Sequence, residues 1–482
     1  MQDSSTSRRA IAVALLVAGA FFMENLDGTV ITTAIPHMAH SFGTNPIALN
    51  VGITAYLLTL AMLIPMSGWV ADRFGGRKVF AGAIAIFTFS SVLCGLCHTL
   101  PEFTCARILQ GVGGAMMVPV GRLVVLRSTA KRDLVTAIAY VTWPGLVAPI
   151  IGPPLGGFIT TYANWRWIFY LNVPLGMIAF LLTLFVIPDE RMEEPKPFDW
   201  IGFALSGVGC GSLIFGLDMI GKPGGTTIQS LPLIGLALVL GWLAIRHFKR
   251  AKHPLMELSA MRVPTFAITI LGASLFRISI GATPFLMPLM FQIGFGMSPV
   301  KSGMLILAVF AGNLLMKPIT TPVLRWFGFR AILLWNGVLC ALALAACCFF
   351  NANTPVILLA VILFIGGLTR SMQFTCLNAV GFADIPSEEM SAASTLSSTV
   401  QQLTFAAGVA FGAIALRLSA FARGTTGETP AVIDFRVAFA LVTLFTIASL
   451  FDYYFMPRDA GEEVSGHRRP QVIPKLAEEA GA

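Results

Sequence analysis

The eleven residues Gly68-Trp-Val-Ala-Asp-Arg-Phe-Gly-Gly-Arg-Lys78 crowd four charges and three glycines between two apolar runs, 47–71 and 78–98. Charge and glycine at such a break mark a tight loop where a chain leaves one apolar layer and re-enters it. A fainter copy, Leu324-Arg-Trp-Phe-Gly-Phe-Arg330, follows the apolar run 299–323. Aligning Phe74-Gly75 with Phe327-Gly328 also superposes Arg77 on Arg330. A basic, glycine-containing turn at corresponding loops is what two parallel repeats of a membrane protein leave behind.

The rest of the chain agrees with that reading. Of 482 residues, 56% are hydrophobic and 12% charged, about half the charge of a soluble domain. A membrane-crossing helix needs about 20 apolar residues. Breaking the apolar runs at charge, Gly and Pro predicts fourteen: 10–36, 47–71, 78–98, 102–127, 134–161, 165–187, 199–220, 230–248, 265–292, 299–323, 329–350, 355–378, 390–420 and 433–456. The expected organisation is a six-helix bundle over 1–190, two additional helices with linkers over 191–262, a second six-helix bundle over 263–457, and a disordered tail over 458–482. With the N-terminus inside, 21 of the 32 Lys and Arg fall in inner segments and six in outer ones. This bias places both termini in the cytoplasm. It also accounts for the +8 net charge without nucleic acid.

Five motifs in order carry a resemblance to a family. The loop motif GxLaDrxGrk is met at Gly68, Ala71, Asp72, Arg73, Gly75 and Arg77, with Val70 for Leu and Gly76 where a base is usual. LDxTIVNxALP is met by Leu26, Asp27, Thr29, Val30, Ile31, Ala34, Ile35 and Pro36. RxxQGxGgA is met by Arg107, Gln110, Gly111, Gly113, Gly114 and Ala115. The antiporter motif gxxxGPxxGG is met by Gly152, Pro153, Gly156 and Gly157, preceded by Pro149, with Ala148 for the first Gly. Trp165 to Phe169 and Asn172-Val173-Pro174 complete the set. Over essentially its whole length the chain resembles the major facilitator superfamily, in particular its 14-span drug:proton antiporters of the EmrB/QacA type. It is similar to the MdtD-like multidrug-resistance proteins through Gln110–Leu123 and Gln292–Gly303. The resemblance implies an all-α membrane protein with the major facilitator fold: fourteen helices in two six-helix bundles plus two intervening ones. It also implies proton-coupled efflux of small organic compounds across a bacterial inner membrane. In that family the proline-glycine run of span 5 is thought to seal the bundle interface.

Charges at membrane depth cost at least about 2.5–3.5 kcal/mol and are functional candidates. Glu24 and Asp27 are three residues apart on span 1, and Arg107 on span 4 reaches Asp27's depth. These three are the proton-coupling candidates, Asp27 ahead of Glu24 because it matches the motif. A permanent structural Asp27–Arg107 pair is the open alternative. In the second half Arg277, Lys317 and Arg370 stand in spans 9, 10 and 12 with no acid in the interior of spans 9 to 13. If they face the central cavity, they favour an anionic metabolite or metal–carboxylate chelate over a cationic dye. The alternative is Lys317 reaching inward to the headgroups and the Arg residues bonding helix carbonyls. Gln292 and Gln373 are neutral candidates for the same cavity.

Other classes lack their residues. No GxxxxGK[ST] occurs, so a bound nucleotide is not expected to drive transport. The six His sit in loops or at helix ends, and the eight Cys form no second pair at zinc spacing. No nucleophile–base cluster suggests an enzyme. The expected partners are a small-molecule substrate and the lipid bilayer, with no nucleic acid. The proton is the coupling ion and no cofactor is expected. A periplasmic efflux partner stays open, and the chain is expected to be a monomer.

Overall fold

The computed structural model describes residues 2–44, 49–130, 133–188, 197–221, 227–424, 430–457 and 459–465, which contain no strand. The first bundle comprises α1 (Gln2–Phe42), α2 (Asn50–Leu63), α3 (Ser67–Phe74), α4 (Gly76–Leu96), α5 (Leu100–Ser128), α6 (Leu134–Tyr162), α7 (Trp167–Tyr170) and α8 (Asn172–Val186). A hairpin of α9 (Trp200–Gly221) and α10 (Thr227–Phe248) follows. The second bundle comprises α11 (Pro264–Leu289), α12 (Pro299–Cys347), α13 (Val356–Ala383), α14 (Met390–Ala422) and α15 (Val432–Tyr454), and a short α16 (Glu462–Ser465) ends the described chain.

Among the described residues thirteen helices are long and apolar enough to cross a membrane. One of them, α12, is 49 residues long and holds two spans, because Gly328 breaks it at φ 72° and ψ 167°. Counted as two, it restores the fourteen spans read from sequence. Gly75 makes the equivalent break between α3 and α4 at φ 87° and ψ 138°. Both breaks need the left-handed region that only glycine enters freely. The repeat extends to side chains. Arg77 donates to the Leu184 carbonyl at the end of α8, 3.5 Å away, and Arg330 to the Tyr454 carbonyl at the end of α15, 2.7 Å away. In each bundle the loop arginine ties down the last helix.

Local chemistry sets the helix starts. Thr99 accepts from the Glu102 N–H with Pro101 in the first turn, and Ser298 accepts from the Lys301 N–H with Pro299 beside it. Both arrangements satisfy donors that a helix N-terminus leaves open. Asp199 accepts from the Gly202 N–H at 2.8 Å, from His247 at 2.9 Å and from the Leu255 N–H at 3.0 Å. Burial pushes the Asp199 carboxyl up, but these bonds outweigh it and hold the group below the usual carboxylate range.

Among the described residues the two bundles share an apolar core cluster at one end of the molecule. At the end where α1 begins, here the N-face, Leu126, Leu134, Val135 and Ile138 of the first bundle share an apolar cluster with Phe266, Ile270, Phe329 and Leu396 of the second. At the opposite end each bundle keeps its own cluster: Leu26, Ala34, Phe103 and Trp165 in one, Leu286, Phe291, Leu359 and Phe435 in the other. Polar contacts follow suit. Ser391 donates to the Gly68 carbonyl at 3.3 Å, Ser394 to the Pro119 carbonyl at 3.0 Å, and the Ser67 and Thr395 hydroxyls lie 3.4 Å apart. Gly68 permits this approach, since a Cβ there would run into Thr395 and the Ser391 carbonyl. Elsewhere along the interface α9 packs against both α2 and α14, through Cys210 and Ile214 against Ala61, Leu58, Leu403 and Ala406.

The stretch read from sequence as a disordered tail begins otherwise. Within 459–465, Val464 of α16 is buried, and α16 packs on α12 and α13. Residues 458 and 466–482 lie outside the described residues.

Candidate functional site

Asp27 and Arg107 meet, as their matching depth in spans 1 and 4 suggests, inside a buried hydrogen-bond network. Arg107 donates to Asp27 Oδ2 at 2.7 Å, with both side chains at most 2% exposed. Asp27 Oδ1 accepts from Gln110 at 3.0 Å and from Asn172 at 2.8 Å. Both amides also reach the Ser91 hydroxyl, at 2.9 Å and 3.1 Å. The Tyr56 ring lies 4.4 Å from the Arg107 guanidinium carbon, within cation–π range. Five helices, α1, α2, α4, α5 and α8, therefore converge on one buried network, in which Arg107 Nε is left without an acceptor. It has the geometry of a structural clamp, and none of Asp27, Arg107 and Gln110 lines the central cavity.

Glu24 differs in every respect. It lines the cavity and accepts one bond, from the Tyr56 hydroxyl at 3.2 Å. Its Oε2 is buried without a partner, the condition in which a carboxyl is best kept protonated or supplied with a ligand donor. Three residues on a helix amount to a rotation of 60°, enough to turn Glu24 to the cavity and Asp27 into the bundle.

The cavity has a volume of about 540 Å³ and draws on α1, α2, α5, α6, α12, α13 and α14. Glu24 is its one acid; Arg122, Lys317 and Arg370 are its bases. Lys317 donates to Thr142 at 2.8 Å and Thr375 at 2.9 Å. Arg122 donates to Gln401 at 3.2 Å and more weakly to Ser398 at 3.5 Å. The Arg370 side chain makes no hydrogen bond or ion pair to any described residue. Phe21, Tyr56, Phe374, Phe382 and Phe405 supply aromatic wall.

The other residues singled out from sequence are dispersed. Arg277 is buried in α11, 2% exposed, and does not line the cavity; its Nε and Nη1 have no acceptor. Gln292 lies in a single π-turn after α11 and donates to Ser302 at 3.4 Å. Gln373 is buried between helices, donating to the Leu333 carbonyl and accepting from Asn336. Neither glutamine lines the cavity. Arg122 takes the position that sequence assigned to Arg277. Its signal, a base inside the apolar run 102–127, is present in the sequence, but the rotation of α5 that turns it to the cavity is not.

In the loop motif, Asp72 pairs with Arg127 at 3.0 Å, and Arg73 sits 5.5 Å over the Trp69 ring. The span-5 motif is carried by the continuous helix α6. Its Gly152 faces Thr29 of α1, while Pro149 is half-buried and Gly156 buried. No atom lies close to where a Cβ of Gly157 would stand. The Pro153 side chain lies outside the described residues. Thus the described contact of this motif is within the first bundle, while α6 reaches the second bundle through its earlier turns, Leu134, Val135 and Ile138 in the apolar cluster and Thr142 toward Lys317. Among the described residues no group of three His, Cys, Asp or Glu could hold a metal ion.

Comparison with known proteins places this architecture. The model described as Major Facilitator Superfamily matches residues 17–409. The chain is 35% identical over 460 residues to the "Putative multidrug resistance protein MdtD" of Escherichia coli K12, covering 94% of this chain and 96% of that one. The protein of the same description from Escherichia fergusonii is 35% identical over 461 residues, with the same coverage. Among solved structures, the human organic anion transporter MFSD10 (TETRAN) aligns with a TM-score of 0.64 at 13% identity, over 93% of this chain and 98% of that one. The proton:xylose symporter XylE aligns with a TM-score of 0.63, also at 13% identity, over 96% and 99%.

Proposed function

The chain belongs to the Major Facilitator Superfamily, and on that footing we propose that it exports small organic anions across the bacterial inner membrane, with Glu24 as its protonatable group. One observation carries the reading: three bases and a single acid surround the cavity. In a partly water-excluded space this excess favours carboxylates or other anions over cations. The Lys and Arg bias makes the N-face cytoplasmic, so the closed N-face corresponds to a state facing outward. Export is the direction suggested by relatives described as multidrug-resistance proteins.

The charges also give proton coupling a sign. Protonating Glu24 makes the cavity more positive by one unit and strengthens its hold on an anion. By linkage, the anion raises proton affinity in turn. Proton and anion are therefore partners at equilibrium; a di- or tricarboxylate that leaves with one proton still carries net negative charge outward and draws about 2.3 kcal/mol per net charge per 100 mV from the membrane potential. Exchange for protons, the expectation from family resemblance, suits a neutral or cationic compound that meets the free Glu24 oxygen directly. The aromatic wall favours this second reading.

Transport in everted vesicles separates the two. Dicarboxylates, tricarboxylates and cationic dyes are offered with a pH gradient or a membrane potential imposed separately. Potential-driven accumulation of a carboxylate, with an apparent affinity that rises with acidity and loses that dependence in Glu24→Gln, is the expected result. Dissipation of the pH gradient by dyes alone, abolished by Glu24→Gln, favours exchange and overturns the anion reading.

A further inference from the structure

Two of the three cavity bases are held by the opposite bundle. Lys317 belongs to α12 and reaches Thr142 of α6; Arg122 belongs to α5 and reaches Ser398 and Gln401 of α14. The donors come from different bundles and the links lie on different helix pairs. In every case the acceptor is neutral. Thr142 is committed to this role, because its hydroxyl is within donating distance of the Ile138 and Ala139 carbonyls of its own helix, leaving lone pairs for the ammonium. Arg370 alone stays bare.

We propose that Thr142, Ser398 and Gln401 are release residues, which displace a bound anion from Lys317 and Arg122 when the N-face closes. This rests on the anion reading above. With the N-face open, the two bundles part where these contacts are made, so Lys317 and Arg122 lose their acceptors across the interface and an anion from the cytoplasm is the best available partner. Closure brings the hydroxyls and the amide back into competition for the same donors. A carboxylate is the stronger acceptor for a charged donor, but once the acceptors are in place it must break two sets of bonds to stay. Affinity thus falls in the state that faces outward, which is what an exporter requires. Arg370, lacking any such competitor, retains a foothold for the anion in both states.

The test uses full-length protein and tricarballylate, measuring equilibrium binding by calorimetry and initial export rates in vesicles. Thr142→Val removes the acceptor that Lys317 finds across the interface and leaves Thr375 of its own bundle in place; Gln401→Met removes the stronger of the two on Arg122 and serves as a second route should the first variant fold poorly. Each is expected to tighten binding roughly tenfold, the effect of about one bond to a charged group. Each also lowers both KM and the maximal export rate, since release slows. Thr142→Ser restores wild-type values. Arg370→Gln weakens binding instead. Wild-type affinity and rates in both acceptor variants, with binding still lost in Arg370→Gln, overturn the release role and leave the anion reading standing. No binding of tricarballylate or of a dicarboxylate to wild type removes the anion reading and the release role together.

Discussion

Replacing Asp27 with Asn separates a clamp from a proton carrier. The carboxylate accepts from Arg107 at 2.7 Å, Asn172 at 2.8 Å and Gln110 at 3.0 Å, while Arg107 is 1% exposed. An amide at this position removes the carboxylate that pairs with the buried Arg107 guanidinium and turns an NH2 group toward other donors. Deleting one partner of a buried pair costs about 3–5 kcal/mol. That is roughly a hundred- to a few-thousand-fold in the unfolding equilibrium. Glu24→Gln serves as the contrast: it alters a side chain with one hydrogen bond and a partnerless oxygen, so its effect should stay within about 1 kcal/mol. The assay is unfolding of the purified proteins by SDS in mixed micelles, followed by circular dichroism. Asp27→Asn should unfold at lower SDS, and Asp27→Asn with Arg107→Gln should recover much of the loss, because no uncompensated charge remains. If Asp27→Asn matches wild type in stability yet abolishes the pH dependence of transport, the clamp argument fails and Asp27 is the proton carrier.

Gly68→Ala places a methyl group against Thr395 and 3.3 Å from the Ser391 carbonyl. Overpacking of this kind costs about 1–3 kcal/mol, charged only to the N-face-closed state, so hydrogen exchange over residues 390–402 should rise. Unchanged exchange there refutes the idea that Gly68 serves closure. Arg330→Gln removes the bond to the Tyr454 carbonyl and should loosen the end of α15, just as Arg77→Gln loosens the end of α8; an effect confined to one bundle contradicts the repeat. The Asp199 carboxyl lies below its ordinary value of 3.8. Its contribution is therefore fully present above that pH and is lost as pH falls through the lower folded value. The stability gap between wild type and Asp199→Asn should be constant near neutrality and narrow below pH 3.8. A gap that instead widens in acid contradicts that sign.

Fourteen spans were legible because a membrane helix declares itself by length and apolarity, and the two halves were legible because Gly75 and Gly328 sit in equivalent turns. Gly328 redirects the chain between the two spans of α12 with no intervening loop. The cavity was less legible. Glu24 and Asp27 share a helix, and which one faces the void depends on how α1 is rotated against α5 and α8. That rotation is fixed by Gln110, Asn172 and Ser91, drawn from three other helices. For the same reason Arg277 and Arg122 exchange places: depth can be read from position along a span, but azimuth comes from packing. Gln373, three residues beyond Arg370, illustrates the point, since one lines the cavity and the other fastens α13 to α12.

The seat of α9 has a consequence for how solutes arrive. Two bundles that rock against each other leave a lengthwise slot on either flank, through which a lipid-dissolved molecule could slip sideways from a leaflet. On the α2–α14 flank α9 fills that slot, anchored by Thr54 to Asp218 at 3.2 Å and by Gly207 against the Met62 backbone. On the other flank α6 packs directly on α12 and α13, and Thr142 accepts there from Lys317. The two flanks of this transporter are thus unequal doors: one bricked up by an inserted helix, the other guarded by a charge.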